Sequence, residues 1–411
     1  MRAMRTSWIV ATLCAGALSA QSDTRAAGSA EALRALEAHL SEGGGPAGAA
    51  SRPYAATPLT KADAASAAAL LVKAHLAEVR TKRAAAVAGL YVERDGVRMR
   101  YWSKTFGDRK EGRSLWISMH GGGSVPADQN DGQWNNQKRL YRPAEGVYVA
   151  PRAPTDAWNM WHVSHIDGLF DLLIETLVAT EGVDPDRVYL MGYSAGGDGA
   201  YQLAPRMADR FAAAAMMAGH PGDASPLGLR NLPFALYMGG KDKAFKRNDI
   251  AREWKKTLAG LATGDEGGYP HRVEVLESKG HWMGGEDAAI LPWMAERTRD
   301  LRPTKIVWRQ DDVLHGAFYW LGAPEPQAYA QITATRAGQT ITLSRLENWK
   351  GAVAVRLDDR MVDLDRDVVV RIDEREVFRG RPPRTIGALC RTLLNRGDIR
   401  SVFSAEILVQ P

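Results

Sequence analysis

The stretch "RVYLMGYSAGGDGAYQLAPRM" at residues 187–207 constrains the fold more than any other part of the chain. It opens on an apolar, strand-like run and closes on a helix-like one, with Gly192, Ser194, Gly196, Gly197 and Gly199 between them. Glycines this dense serve either a flexible linker or a turn too tight for side chains. Their place between strand and helix predicts the tight turn. The strand should end at Leu190 or Met191, the turn should cover 192–196, and the helix should begin near Gly197. In such a turn the backbone is strained and a serine hydroxyl stands above the sheet edge. The helix N-terminus behind it favours negative charge developing beside Ser194.

The same alternation extends on both sides. "LYVERDGVRMRYW" has two β-prone arms around Asp95-Gly96, a hairpin signal. "SLWISMHGGG" and "GVYVAPRAP" read as strands, "IDGLFDLLIETLVATEG" as a helix, and "FALYMGGKD" and "VEVLESKGHW" as further strands. Strands alternating with helices predict an α/β domain over 90–302, a mostly parallel sheet with helices on both faces. From 303 to 411 short alternating runs such as "QITATRAGQTITLSRL" predict a small β-rich C-terminal domain, with one helix at "TIGALCRTLLNRG". Upstream, 61–89 is alanine-rich and helical. Residues 21–60, with "SEGGGPAGAASRP", read as a flexible Ala/Gly/Pro-rich segment with one short helix candidate, "SAEALRALEAHL". Gly43 to Gly45 lack a following Gly-Lys-Ser/Thr, which excludes a phosphate loop.

The first twenty residues, "MRAMRTSWIVATLCAGALSA", carry arginines, then an apolar run, then small residues. That order predicts a secretory signal peptide cleaved after Ala20. The apolar run is short of the about 20 residues a spanning helix needs, so no stable membrane insertion is expected after cleavage. The expected location is periplasmic or secreted. Removing the signal also removes Cys14 and leaves only Cys390, so the mature fold must rest on its core without an internal disulfide. The formal net charge of +5 is spread thinly, with no Lys/Arg block interleaved with aromatics. Nucleic-acid binding is therefore not expected.

Three further stretches carry chemistry. "MHGGGS" places His120, Gly121, Gly122 and Gly123 directly after a strand, where glycines let backbone N–H groups turn toward a carbonyl oxygen. "LYMGGKD" ends a strand with Asp242, and "LESKGHW" ends another with His281. A serine hydroxyl needs a base to take its proton, and a histidine base needs an orienting carboxylate. Asp223 and Asp249 also stand nearby in sequence; the position directly after a strand favours Asp242. "APTDAWNMWHVSHIDG" gathers Trp158, Trp161 and His162 on a loop that, with Trp282, could wall a substrate pocket; packing in the core is the equal alternative. His162 and His165 lack further ligand-type partners at useful spacing, so neither a metal nor a cofactor is expected.

With "HGGG", "GYSAGG", "GGKD" and "GHW" in this order, residues 90–300 resemble the α/β-hydrolase superfamily. Within it the chain is similar to exported bacterial carboxylesterases and to hydrolases like polyhydroxyalkanoate depolymerase and prolyl oligopeptidase. The resemblance implies Ser194 as nucleophile, His281 as base and Asp242 as orienting acid. It also implies oxyanion donors at the backbone of Gly121, Gly122 and Ala195. The function it implies is hydrolysis of a small-molecule or oligomeric carboxylic ester through an acyl-enzyme. A peptidase or amidase of prolyl-oligopeptidase-like type is the alternative within the same chemistry, and a non-catalytic binding protein on this scaffold is a third. Residues 21–88 are too few and too helical for the β-propeller of a full prolyl oligopeptidase.

Overall fold

The computed structural model describes residues 26–411. The expected signal sequence lies outside them.

The core of the fold is an eight-stranded sheet. Its strands are β1 (Tyr91–Arg94), β2 (Val97–Phe106), β3 (Arg113–Met119), β4 (Gly146–Pro151), β5 (Val183–Tyr193), β6 (Ala213–Met217), β7 (Phe234–Gly239) and β8 (His271–Leu276). They lie in the order β1-β2-β4-β3-β5-β6-β7-β8. The β1–β2 hairpin turns at Asp95-Gly96 and β2 pairs antiparallel to β4, whereas every neighbouring pair from β4 to β8 is parallel. The parallel run explains the composition. β4, β6 and β7 are buried at every position, as strands covered on both faces by crossover helices must be.

Ahead of the sheet come α1 (26–41), α2 (Pro46–Ala50) and α3 (Lys61–Ala88). Between the strands lie α4 (Ala127–Leu140), α5 (His165–Glu181), α6 (Ala195–Arg206), α7 (Arg247–Gly264) and the short α8 (Leu291–Ala295). Thr60 caps α3 by accepting from the Asp63 N–H, and α5 ends at Gly182 in the left-handed conformation.

After residue 303 the chain forms two smaller sheets. A five-stranded sheet has the order β16-β15-β13-β12-β9 and a four-stranded one β10-β11-β14-β17. The first comprises β9 (Lys305–Arg309), β12 (Gln331–Ala337), β13 (Thr340–Glu347), β15 (Val368–Ile372) and β16 (Arg375–Gly380). The second comprises β10 (Ala317–Phe318), β11 (Leu321–Gly322), β14 (Val353–Leu357) and β17 (Ala405–Val409). The helix expected there is α9 (Ile386–Arg396). This β-rich part shares its apolar core with the main sheet: Trp308, Phe318, Ile332 and Val355 belong to one cluster with Leu203, Phe211 and Leu229.

The expectation of a flexible segment over 21–60 is corrected from residue 26 onward. Ala32, Leu36, Ala49 and Leu59 are buried with Leu71 of α3 and with Ile386, Leu389 and Leu393 of α9. The alanine and leucine stripe of α1 is buried in a cluster built from Ala49, Leu59 and α3 nearby in sequence and closed by the chain's last helix, which composition alone could not reveal.

Candidate active site

β5 runs through Tyr193 and α6 begins at Ala195, so the turn between them is Ser194 alone. That is tighter than the five-residue turn expected from the sequence. Ser194 sits at φ 57° and ψ −120°, a strained conformation for a residue with a side chain. The glycines permit it. A Cβ on Gly192 would stand 2.0 Å from the Gly196 carbonyl oxygen, and one on Gly196 would stand 2.2 Å from that of Met119. These glycines serve contact between strand, turn and helix.

The turn presents Ser194 at the C-terminal edge of the sheet, where the loops after β7 and β8 also arrive. His281 Nε2 lies 2.9 Å from Ser194 Oγ, and His281 Nδ1 lies 2.6 Å from Asp242 Oδ2. The carboxylate side chain is 2% exposed while the imidazole is 43% exposed, so the carboxylate is sealed and the imidazole is open to solvent. The alternative acids are engaged elsewhere. Asp223 accepts from Gln202, and Asp249 pairs with Arg252 within α7.

The loop after β3 passes beside the serine. A Cβ on Gly121 would meet Ser194 Cβ at 3.1 Å. Gly122 has φ +112°, and a Cβ there would overlap Asn130 Oδ1 at 2.0 Å. Asn130 is buried, accepts the Gly123 N–H at 2.9 Å and donates to the Val125 carbonyl and Asp156. Arg152 braces the same region through Asp131 and Asp156. On the other side of Ser194, the N–H of Ala195 opens α6 and has no acceptor within the helix.

His120, first residue of the glycine loop, is buried beneath it. The Ala153 N–H donates to its Nε2 at 3.2 Å, which leaves the proton on Nδ1, 2.6 Å from the Gly121 carbonyl oxygen. Burial pulls its pKa down to about 4, so the ring is neutral and holds the loop by hydrogen bonds alone.

The three aromatic positions of the loop after β4 separate. Trp161 is a correction to the pocket expectation: it is fully buried and donates its indole N–H to the His120 carbonyl at 2.8 Å, packed with Phe170. It supports the glycine loop from below. Trp158 is 68% exposed and meets His162 edge-on. Burial first, then Arg206, lowers the pKa of His162. Neither of these two lines the cavity at Ser194, but Trp282 does.

That cavity, about 680 Å³, is bounded by Gly121, Gly122, Ser194 and His281, with residues of α4 forming one wall. The α4 wall was missed at the sequence level, although Gln133, Asn136, Gln137 and Leu140 follow the i, i+3, i+4, i+7 spacing of a single helix face. Tyr193 was missed as well, because it fills a variable position of the serine motif. Its hydroxyl donates to the His281 carbonyl at 2.7 Å and accepts the Met283 N–H at 3.0 Å. Among the described residues no cluster of His, Cys, Asp or Glu is arranged to hold a metal ion.

Sheet order and a strand–serine–helix turn at its C-terminal edge together define the α/β-hydrolase fold. Solved structures similar to this chain include a thermostable esterase, 18% identical over 51% of this chain and 62% of that one, with a TM-score of 0.40. An enterobactin esterase from Shigella flexneri is 16% identical over 50% of this chain and 57% of its own, with a TM-score of 0.37. An S-formylglutathione hydrolase from Staphylococcus aureus is 12% identical over 50% of this chain and 97% of its own, with a TM-score of 0.34. This chain thus spans less than two thirds of the thermostable esterase. No protein-family model matches the sequence, and no curated protein does.

Proposed function

We propose that the protein is a serine hydrolase that cleaves carboxylic esters through an acyl-enzyme on Ser194. The observation that carries this reading is the hydrogen-bonded chain from Ser194 through His281 to Asp242, with steps of 2.9 and 2.6 Å, at a strained serine facing a cavity. Ser194 Oγ attacks the ester carbonyl while His281 Nε2 takes its proton. Asp242 holds the imidazole with Nδ1 protonated and stabilises the imidazolium that forms. The oxyanion is received by the backbone amides of Gly121 or Gly122 and Ala195. His281 then gives its proton to the leaving alcohol, and a water, activated by the same base, releases the acid.

The test is labelling of the full-length mature protein with a fluorophosphonate probe, the modified peptide being read by mass spectrometry. Labelling on Ser194, absent in Ser194→Ala, is the expected result; no labelling of folded protein overturns the reading. Matched ester and amide substrates then decide between esterase and peptidase, since amines leave less readily than alkoxides. We also infer export, on the arginine–apolar–small order of residues 1–20. N-terminal sequencing of the mature protein tests it. Among the described residues no helix is long and apolar enough to cross a membrane.

A further inference from the structure

The cavity at Ser194 has an asymmetric lining. One side is aromatic: Trp282, 58% exposed, leans on Tyr193 with ring centroids 5.7 Å apart. Another part of the lining is the face of α4, which presents Gln133, Asn136 and Arg139 to the cavity. A cavity shaped for a long alkyl chain would place apolar side chains along that face. Here the apolar contribution of α4 is Leu140 at its end.

Three of the polar side chains on this wall, Gln133, Asn136 and Arg139, are uncommitted. Gln137 is buried and spends its amide on Ser118 Oγ, and Lys138 is held over the Trp134 ring at 3.4 Å and by Asn135. Gln133, Asn136 and Arg139 are exposed and have no hydrogen-bond or ion-pair partner among the described residues. Among the described residues that line the cavity, Arg139 is, apart from His281, the one side chain that can carry charge, and none is a carboxylate. A guanidinium with no partner, flanked by two free carboxamides, is a donor-rich surface suited to a planar anion.

We propose that Arg139, with the amides of Gln133 and Asn136, forms a carboxylate-recognising subsite, so that the preferred ester carries a second, free carboxylate. This rests on the ester-hydrolase reading above. The scissile carbonyl lies at Ser194 against the glycine loop, the intervening chain passes along Trp282 and Leu140, and the free acid meets α4. Arg139 is a specificity determinant; the bond-breaking steps are unchanged.

The experiment compares the mono-4-nitrophenyl ester of adipic acid with 4-nitrophenyl hexanoate, which exchange a terminal carboxylate for a methyl group. In wild type, kcat/KM should favour the adipate ester by about tenfold at low ionic strength, and the preference should shrink in salt. Arg139→Met should erase the ratio, Arg139→Glu should reverse it, and Arg139→Lys should keep part of it. Turnover of the hexanoate ester reports that each variant is folded. Equal rates on the two esters in wild type, or an unchanged ratio in Arg139→Met, overturns the subsite while leaving the esterase reading intact. Failure to turn over either ester overturns both.

Discussion

The hydroxyl of Tyr193 closes a bridge across the loop that carries His281, donating to the His281 carbonyl and accepting the N–H of Met283. Burial pushes its pKa well above the ordinary phenol value, so the group stays protonated and keeps donating. Its ring also meets that of His281 edge-on at 6.1 Å. The residue beside the serine therefore fixes the backbone of His281. Tyr193→Phe keeps the ring and removes the bridge, leaving two backbone groups unpaired at a cost of about 1–3 kcal/mol. Steady-state kinetics should show kcat falling about tenfold or more with KM nearly unchanged. A purely structural role would instead lower the melting temperature and leave kcat per folded molecule intact.

Asn130 does for the glycine loop what Tyr193 does for the histidine. Its carboxamide ties Gly123 to Val125 and Asp156 from a fully buried position. Asn130→Ala should free the loop and misplace its amide donors. A lost oxyanion donor costs on the order of a hundredfold in kcat, and a loosened one should cost about tenfold or more. Ser194 should still label with fluorophosphonate, more slowly, since the Ser194–His281 contact does not pass through Asn130.

The meeting of Ser194, His281 and Asp242 was legible in the sequence because a tight strand–serine–helix turn must be written locally. Gly192, Ser194 and Gly196 fall within five residues, and Asp242 and His281 follow strands. What the sequence hid was everything that depends on distant neighbours. Trp161 reads the same whether it walls a pocket or lies beneath the His120 carbonyl, and the structure puts it beneath. Residues 26–60 look like a linker until α9 supplies the apolar surface that Leu36 and Leu59 need. The α4 face escaped because its residues are nearly all polar, so nothing in the sequence marks which side of the helix meets a ligand.

Two buried groups near the site should tilt stability with pH in opposite directions. His120 is pulled from 6.5 to about 4 by burial. Between these values the unfolded chain binds the proton and the folded one does not, so stability falls as pH drops from 6.5 toward 4. Asp198, in the first turn of α6, is pushed up to about 6 by burial, against the His220 N–H that it accepts at 2.6 Å. Its folded form holds a proton that the unfolded form has lost, so stability falls as pH rises from 3.8 toward 6. Each slope is at most about 1.4 kcal/mol per pH unit. Chemical denaturation across pH 4–7 should therefore show a steeper acid loss in Asp198→Asn than in wild type. The same slopes in both proteins would show that Asp198 is not the opposing group.

The β-rich C-terminal part should be inseparable from the hydrolase domain. Asp398, just after α9, receives Arg299 at 2.6 Å and Arg210 at 2.9 Å, and all three are nearly inaccessible. Burial alone would raise its carboxyl, but Arg299 and Arg210 hold it well below the usual carboxylate range. Arg396 of α9 reaches back to Asp171 of α5 and to Asp209. These ion pairs sit on an apolar cluster that continues from Phe211 and Leu229 into Trp308 and Val355. Removing one partner of a buried pair leaves a stranded charge and costs about 3–5 kcal/mol. Asp398→Ala leaves Arg299 with Asp186 and Arg210 with Asp171, so it should lose less than that in urea titration, about 1–3 kcal/mol, although it touches none of Ser194, His281 and Asp242. Ending the chain at 302 exposes the cluster and takes Asp398 from Arg210 and Arg299, leaving them Asp171 and Asp186, so the shortened protein should fail to give a cooperative transition. In wild type, near-UV dichroism of the whole chain and loss of fluorophosphonate labelling at Ser194 should fall on one curve. Two separated transitions would mean that the C-terminal part folds as an independent module.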